Sequence, residues 1–295
     1  MRIIAIFLVL LIAIALSRHY FQNTLSRTIV VDAETGALEI ELEAELSGKA
    51  FRNVWFCEQR GGRATAAASP VEPIGCPSRT HHLVGPEPVA TPILPAGANL
   101  KITTSPNALR IDVTSLPARY RGSDIGRLEG GAVIVAGQHA LEAFGTMPLS
   151  GKAEIGALFS DTDNVSVASG SYQIRGYTPA GLWENEVREL RGGALLTGAR
   201  VRFVDMDKET ATGHVAVMLP DPKTALMRVT AISEHTNSNL GVRYYFTDEV
   251  IIGPSFLEAL LLDPLVQLLA MALGAFAGYG WLNRLLTSAD RNSTQ

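Results

Sequence analysis

The sequence predicts a mainly β protein: an extracytoplasmic region of β-sandwich or jelly-roll type, flanked by an N-terminal apolar segment and a C-terminal transmembrane helix. Three observations carry this. Between residues 28 and 252, apolar and polar residues alternate in short runs broken by Gly, Pro, Asp and Asn, the pattern of half-buried strands. Leu265–Leu282 is eighteen residues without a charge, which at about 1.5 Å per residue crosses most of a hydrocarbon core of roughly 30 Å. The chain also opens on an apolar run, Ile3–Leu16, preceded by Arg2.

That opening run, within residues 1–21, reads as a signal anchor or a signal peptide. Ala13-Ile14-Ala15 has the small-x-small form of a cleavage site, whereas Tyr20-Phe21 extends the apolar stretch if Arg18 snorkels to the interface. The reading favours an uncleaved anchor, and both versions export the region from residue 22 to the C-terminal apolar run. A first β block spans 22–118. Thr28–Asp32 and Ala37–Leu46 are predicted strands joined through a hairpin turn at Ala33–Gly36. In the second, Leu38, Ile40, Leu42, Ala44 and Leu46 alternate with Glu39, Glu41, Glu43 and Glu45, giving a strand with one acidic, solvated face. Phe51–Glu58 is the next strand. Seven prolines between 70 and 95 predict an irregular loop over 59–97. Asn99–Thr104 and Leu109–Thr114 flank Ser105-Pro-Asn-Ala108 as a hairpin.

The second β block, 119–254, holds strand-like runs at 131–136, 152–159, 165–177, 194–204, 214–219, 225–232 and 242–252. One stretch breaks the pattern: Trp183, Val187 and Leu190 recur at helical spacing and predict a short helix over 182–190. Leu196-Thr-Gly-Ala-Arg-Val-Arg-Phe-Val-Asp205, followed by Thr212-Gly-His-Val-Ala-Val217, is similar in style to strands of the β-jellyroll domains that carry lipopolysaccharide between membranes. The resemblance covers only this stretch and assigns no functional residue; what it implies is a lipid or glycan carrier.

Residues 255–263 read as an interfacial segment. Asp263-Pro264 supplies an N-cap and a first-turn proline for a transmembrane helix over 264–284. Tyr279 and Trp281 lie at headgroup depth, and Arg284 and Arg291 come after them, whereas Asp248, Glu249, Glu258 and Asp263 precede. Positive residues stay inside, so 285–295 is a cytoplasmic tail and the β region is outside. Ala270, Gly274 and Gly278 recur every fourth residue and would let a second helix approach closely, which predicts a homo-oligomer or a membrane-protein partner besides the bilayer itself.

Composition narrows the setting. With 25 basic and 29 acidic residues the formal charge is −4, and no basic run offers a nucleic-acid footprint. Only five of the basic residues are lysine, and Arg with abundant Ala and Gly suggests a GC-rich bacterial genome; the localisation expected is the bacterial inner membrane, with the bulk of the chain periplasmic or extracellular. The two cysteines, Cys57 and Cys76, are predicted to form a disulfide in that oxidising space. Joining them to His81 and His82 as a metal site fits no zinc spacing.

Candidate chemistry is sparse. Ser150-Gly-Lys152 places a serine near a lysine but reads as a loop opening a strand. Asp161–Asn164 and Asp205–Glu209 set carboxylates at alternate positions, as calcium loops do, yet neither completes such a loop, and turn chemistry accounts for both. Glu184 and Glu186 form an ordinary carboxylate pair, and His139, His214 and His235 lie far apart. No catalytic, cofactor-binding or metal residue is assigned and no cofactor is expected. The expectation is a non-enzymatic envelope assembly, scaffold or interaction protein; the alternatives are a lipid or glycan carrier and, third, an envelope hydrolase whose cleft would gather residues such as His139, Asp161, Glu184 or His214.

Overall fold

The computed structural model describes residues 27–46, 54–59, 76, 81–87, 94–105, 108–120, 123, 125–136, 145–156, 166–177, 187–205, 207, 209–218, 226–235, 238–245, 247–254 and scattered positions from 258 to 279. The described residues form fifteen strands and two 3-10 turns, Ala118–Tyr120 and Ile125–Leu128. In chain order the strands are β1 (Arg27–Thr35), β2 (Ala37–Leu42), β3 (Val54–Gln59), β4 (His81–Glu87), β5 (Asn99–Ser105), β6 (Ala108–Ser115), β7 (Ala132–Ala136) and β8 (Thr146–Ile155). They continue with β9 (Ser169–Tyr177), β10 (Val187–Leu195), β11 (Ala199–Val204), β12 (Thr212–Met218), β13 (Met227–Ser233), β14 (Asn239–Tyr244) and β15 (Val250–Ile252).

All belong to one sheet, ordered β10-β9-β1-β13-β12-β8-β2-β5-β6-β7-β3-β4, with β11, β14 and β15 branching from β8. The mainly β expectation therefore holds. The branch point reflects the length of β8. Its Thr146–Lys152 segment pairs with β12, Gly151–Ile155 pairs with β2, and Glu154–Ile155 also meets β11. Gly151 makes the crossing possible: a Cβ there would lie 2.0 Å from the Glu41 carbonyl oxygen. Compact units divide the chain in two, one comprising 28–174 and 192–253, the other 1–27, 175–191 and 254–295.

In the first unit inward residues of most strands meet in one main core that includes Ile29, Leu38, Ile102, Ile111, Met147, Phe203 and Val242. The strand β7 is buried on both faces. Val133 and Val135 enter the main core, while Ala132 and Ile134 join Cys57 and Ala108 in a smaller cluster against Trp55, Leu83 and Cys76. There Cys57 and Cys76 are bonded, with Cα atoms 5.7 Å apart, as the sequence predicts. Closing this loop contributes about 3 kcal/mol in the chain-entropy model.

Four expectations are corrected. The strands β1 and β2 are no hairpin: β1 pairs with β13 and β2 with β5 and β8, because one intervening residue, Gly36, is too short a link for a two-residue hairpin turn. The strand predicted to reach Leu46 stops at Leu42, and Glu43, Ala44 and Glu45 are all exposed before Leu46 turns inward to bridge Leu94. Within the predicted loop 59–97, His81–Glu87 is a strand; it ends the sheet order, where Pro86 disrupts no ladder on its open edge. Val187–Leu190, predicted helical, begins β10, and 182–186 lie outside the described residues.

The predicted N-terminal segment lies outside the described residues. Of the predicted transmembrane helix, Val266–Leu268, Ala270–Ala272, Gly274, Ala275, Gly278 and Tyr279 are described, and each is helical. Among the described residues no helix is long and apolar enough to cross a membrane. Ala270, Gly274 and Gly278 are exposed, and a Cβ on either glycine would meet nothing within 4 Å.

Candidate functional site

Two depressions lie on the outward face of the sheet, fed by successive outward residues of β8. Pro148 and Ser150 line one; Lys152 and Glu154 line the other. The period of two places all four on one side of the strand.

The second depression is polar, with a volume of about 530 Å³. Glu39 and Glu41 from β2, Asn99 and Lys101 from β5, Thr114 from β6 and Lys152 and Glu154 from β8 form its floor, and Glu209 and Thr210, before β12, form a wall. Register explains the charges. Glu41 stands opposite Lys152, and Glu39 stands between Lys101 and Glu154. The like-charged Glu39 and Glu154 are held together by Arg200 of β11, whose Nη2 is 2.6 Å from Glu154 Oε2 and 3.8 Å from Glu39 Oε2. Arg200 Nε lies against Glu154 Oε1 without the alignment of a hydrogen bond. Burial pushes the Glu154 carboxyl above the ordinary glutamate range, and Arg200 opposes this only in part.

Beside it Arg202 makes a two-pronged pair with Glu249, Nε to Oε1 at 2.6 Å and Nη2 to Oε2 at 2.7 Å, while Nη1 donates to Thr210 Oγ1 at 2.7 Å. Those hydrogen bonds hold the Glu249 carboxyl below its usual range and raise the guanidinium. Glu39 and Glu41, the part of the acidic face that lies in β2, thus stand beside three cations, Lys101, Lys152 and Arg200. None was singled out for this role in the sequence: i, i+2 charge pairs are visible in β2, β8 and β11, but the register that sets them side by side is not.

The first depression is mainly apolar, about 310 Å³, with Leu46, Pro148, Ala216 and Ile232 among its lining residues. It is the cavity that receives His214. Ser150 and His214 face each other across β8 and β12. Because the Ser150 carbonyl accepts from Glu43 N–H on the other side, the two form a non-hydrogen-bonded pair, the kind whose side chains come closest. Glu45 stands on the same rim.

The remaining candidates separate. His139, Asp161–Asn164, Glu184 and Glu186 lie outside the described residues. His235 Nδ1 is 3.2 Å from Thr212 Oγ1. Asp205 Oδ1 accepts the backbone N–H of Asp207 at 2.9 Å and of Glu209 at 3.0 Å, so this carboxylate closes a turn. The sulfurs of Cys57 and Cys76 are consumed by their bond and offer no thiolate beside His81 and His82. Among the described residues no three His, Cys, Asp or Glu side chains are placed to hold a metal ion. Comparison with family models, curated proteins and solved structures finds no match.

Proposed function

We propose that the chain is a membrane-anchored assembly or scaffold protein of a bacterial envelope, its β-sandwich or jelly-roll-like region held outside the inner membrane and its last residues in the cytoplasm. The observation that carries the reading is the Cys57–Cys76 bond, which belongs to an oxidising compartment. The apolar runs at both ends supply the anchorage, the helix over 264–284 as a span and 1–21 as a signal anchor. The outward sheet face carries a polar depression of about 530 Å³ lined by charges of both signs, which suits a partner surface. A lipid or glycan carrier would need a continuous apolar groove; the described interior is filled by side chains, and the exposed apolar depression is only about 310 Å³.

The test is cross-linking in intact cells, purification through a tag on the cytoplasmic tail, and mass spectrometry of the retained molecules. A reproducible envelope protein supports the scaffold. Bound lipid or glycan without a protein overturns it in favour of the carrier, and a hydrolytic activity of the purified protein, lost on changing one polar residue without unfolding, overturns it in favour of an enzyme.

A further inference from the structure

The last strand of the chain carries apolar side chains that the core does not take up. Among the described residues of the unit comprising 28–174 and 192–253, five large apolar side chains are exposed: Leu196, Ile232, Tyr245, Val250 and Ile251. Ile232 lines the apolar depression, and the other four gather around β14 and β15. Val250 and Ile251 belong to β15, which among the described strands pairs with β14 alone and so has a free edge. Tyr245 follows β14, and its ring lies over Gly198, where a Cβ would be 2.3 Å from a ring carbon, two residues after Leu196. The turn holds Tyr245 at a φ of 45°, which L side chains rarely adopt, through hydrogen bonds from Thr247 N–H to the Tyr244 carbonyl at 2.9 Å and from Tyr244 N–H to Thr247 Oγ1 at 3.3 Å. Apolar residues scattered singly over a surface need no cause. A group of them along an unpaired strand edge does, because such an edge is otherwise a template for aggregation.

The chain beyond β15 singles out what covers this edge. After Ile252 only Gly253 and Pro254 precede residues 255–263, which the sequence reads as an interfacial segment leading into the span over 264–284. Two extended residues reach about 7 Å, so a chain anchored in that way keeps β15 close to the headgroups. Tyrosine suits that depth, its ring toward the acyl chains and its hydroxyl among the headgroups. Arg243 and Asp248, both exposed, flank Tyr245 with one charge of each sign, which matches a phospholipid headgroup without net charge. We propose that the free edge of β15, with Tyr245, Val250 and Ile251, rests on the phospholipid surface of the membrane that anchors the chain, the Leu196 turn beside it. The contact fixes the orientation of the sheet over the bilayer, where a span alone would leave it free to swing. This inference rests on the anchorage in the proposed function and adds to it a second, peripheral contact.

Because Cys57 and Cys76 are consumed by their bond, a fluorophore can be attached at one introduced cysteine, Val250→Cys or, as the reference, the exposed Ala118→Cys beyond β6. The full chain is reconstituted in phosphatidylcholine liposomes whose acyl chains carry bromine near the headgroup; flotation reads the anchorage, and quenching of the label reads the edge. The protein is expected to float, with the Val250→Cys label quenched about twofold relative to unbrominated lipid and the Ala118→Cys label unchanged. Ile251→Glu with Tyr245→Asn, the asparagine chosen because it tolerates the positive φ, should lower that quenching about threefold while flotation persists. An intact Cys57–Cys76 bond checks the fold of each variant. Protein that floats with no quenching at Val250→Cys, with equal quenching at both labels, with quenching indifferent to the double substitution, or with a label shielded in proportion to protein density instead of bromine, as a protein partner would shield it, overturns the inference and leaves the anchorage standing. Protein that does not float overturns both.

Discussion

At the scale of single residues, two glutamates in neighbouring pairs respond oppositely to acid. Glu249 owes its depressed pKa first to the hydrogen bonds from Arg202. Its contribution to stability is present above the unfolded value, about 4.3, and is lost as pH falls through the lower folded value. Glu154 is raised by burial, so the folded protein takes up its proton at higher pH than the unfolded chain does, and that site favours folding increasingly as pH falls through the raised value toward 4.3. Glu249→Gln should cost about 1.5 kcal/mol at pH 7, a value reduced for partial solvent screening, and should flatten the acid limb of the stability curve below pH 4. Glu154→Gln, which keeps an acceptor for Arg200, should cost less at pH 7 and remove the opposing contribution in acid. Urea midpoints measured from pH 3 to 8 check both; equal losses at pH 7 would contradict the assignment.

At the scale of elements, period two was legible wherever one strand face is buried and the other wet. In β2 the run Leu38-Glu-Ile-Glu-Leu42 reads correctly because burial alternates with the sequence. It misleads from Glu43 onward, where alternation persists but the ladder with β8 ends as Glu43 N–H reaches the Ser150 carbonyl, so pairing and not pattern ends the strand. The apolar spacing of Trp183, Val187 and Leu190 mimics a helix, yet in β10 Val187 is exposed and only Leu190 and Leu195 are buried. The hairpin of β5 and β6 was legible, Ser105 pairing with Ala108 across the turn as expected, because both halves are local. The polar depression was not, since β2, β8 and β11 meet by long-range register. That register depends on Gly151, where β8 passes from β12 to β2. Gly151→Ala would drive a Cβ to 2.0 Å from the Glu41 oxygen and 2.9 Å from its carbon, both backbone atoms that cannot swing away. It should destabilise the protein by about 3 kcal/mol, read as a lowered urea midpoint by tryptophan fluorescence, and an unchanged midpoint would show that β8 does not hold the two strands as described.

At the scale of the whole molecule, sequence order and spatial order part company. Strands from both halves interleave, β2 between β8 and β5, and β1 between β9 and β13, so one core depends on pairings that span most of the chain. A chain built this way needs its non-local contacts made before the sheet is stable, and the disulfide ties Cys76 to Cys57 of β3 near one end of the strand order. The apolar runs at its two ends carry the placement in the proposed function, under which Arg284 and Arg291 beyond the second run would hold the tail inside and the disulfide and sheet would lie outside. Spheroplasts bearing a tag at the C-terminus should therefore, on treatment with protease, lose the β region and retain a short tagged fragment ending in the tail. The fragment should appear without permeabilising the inner membrane and the tag itself should vanish only after permeabilisation. Loss of the tag from sealed spheroplasts would place the tail outside, and recovery of an intact chain would place the sheet inside or make it resistant; repeating the digestion after reduction and mild urea separates these two, because a resistant external sheet then yields the fragment and an internal one does not.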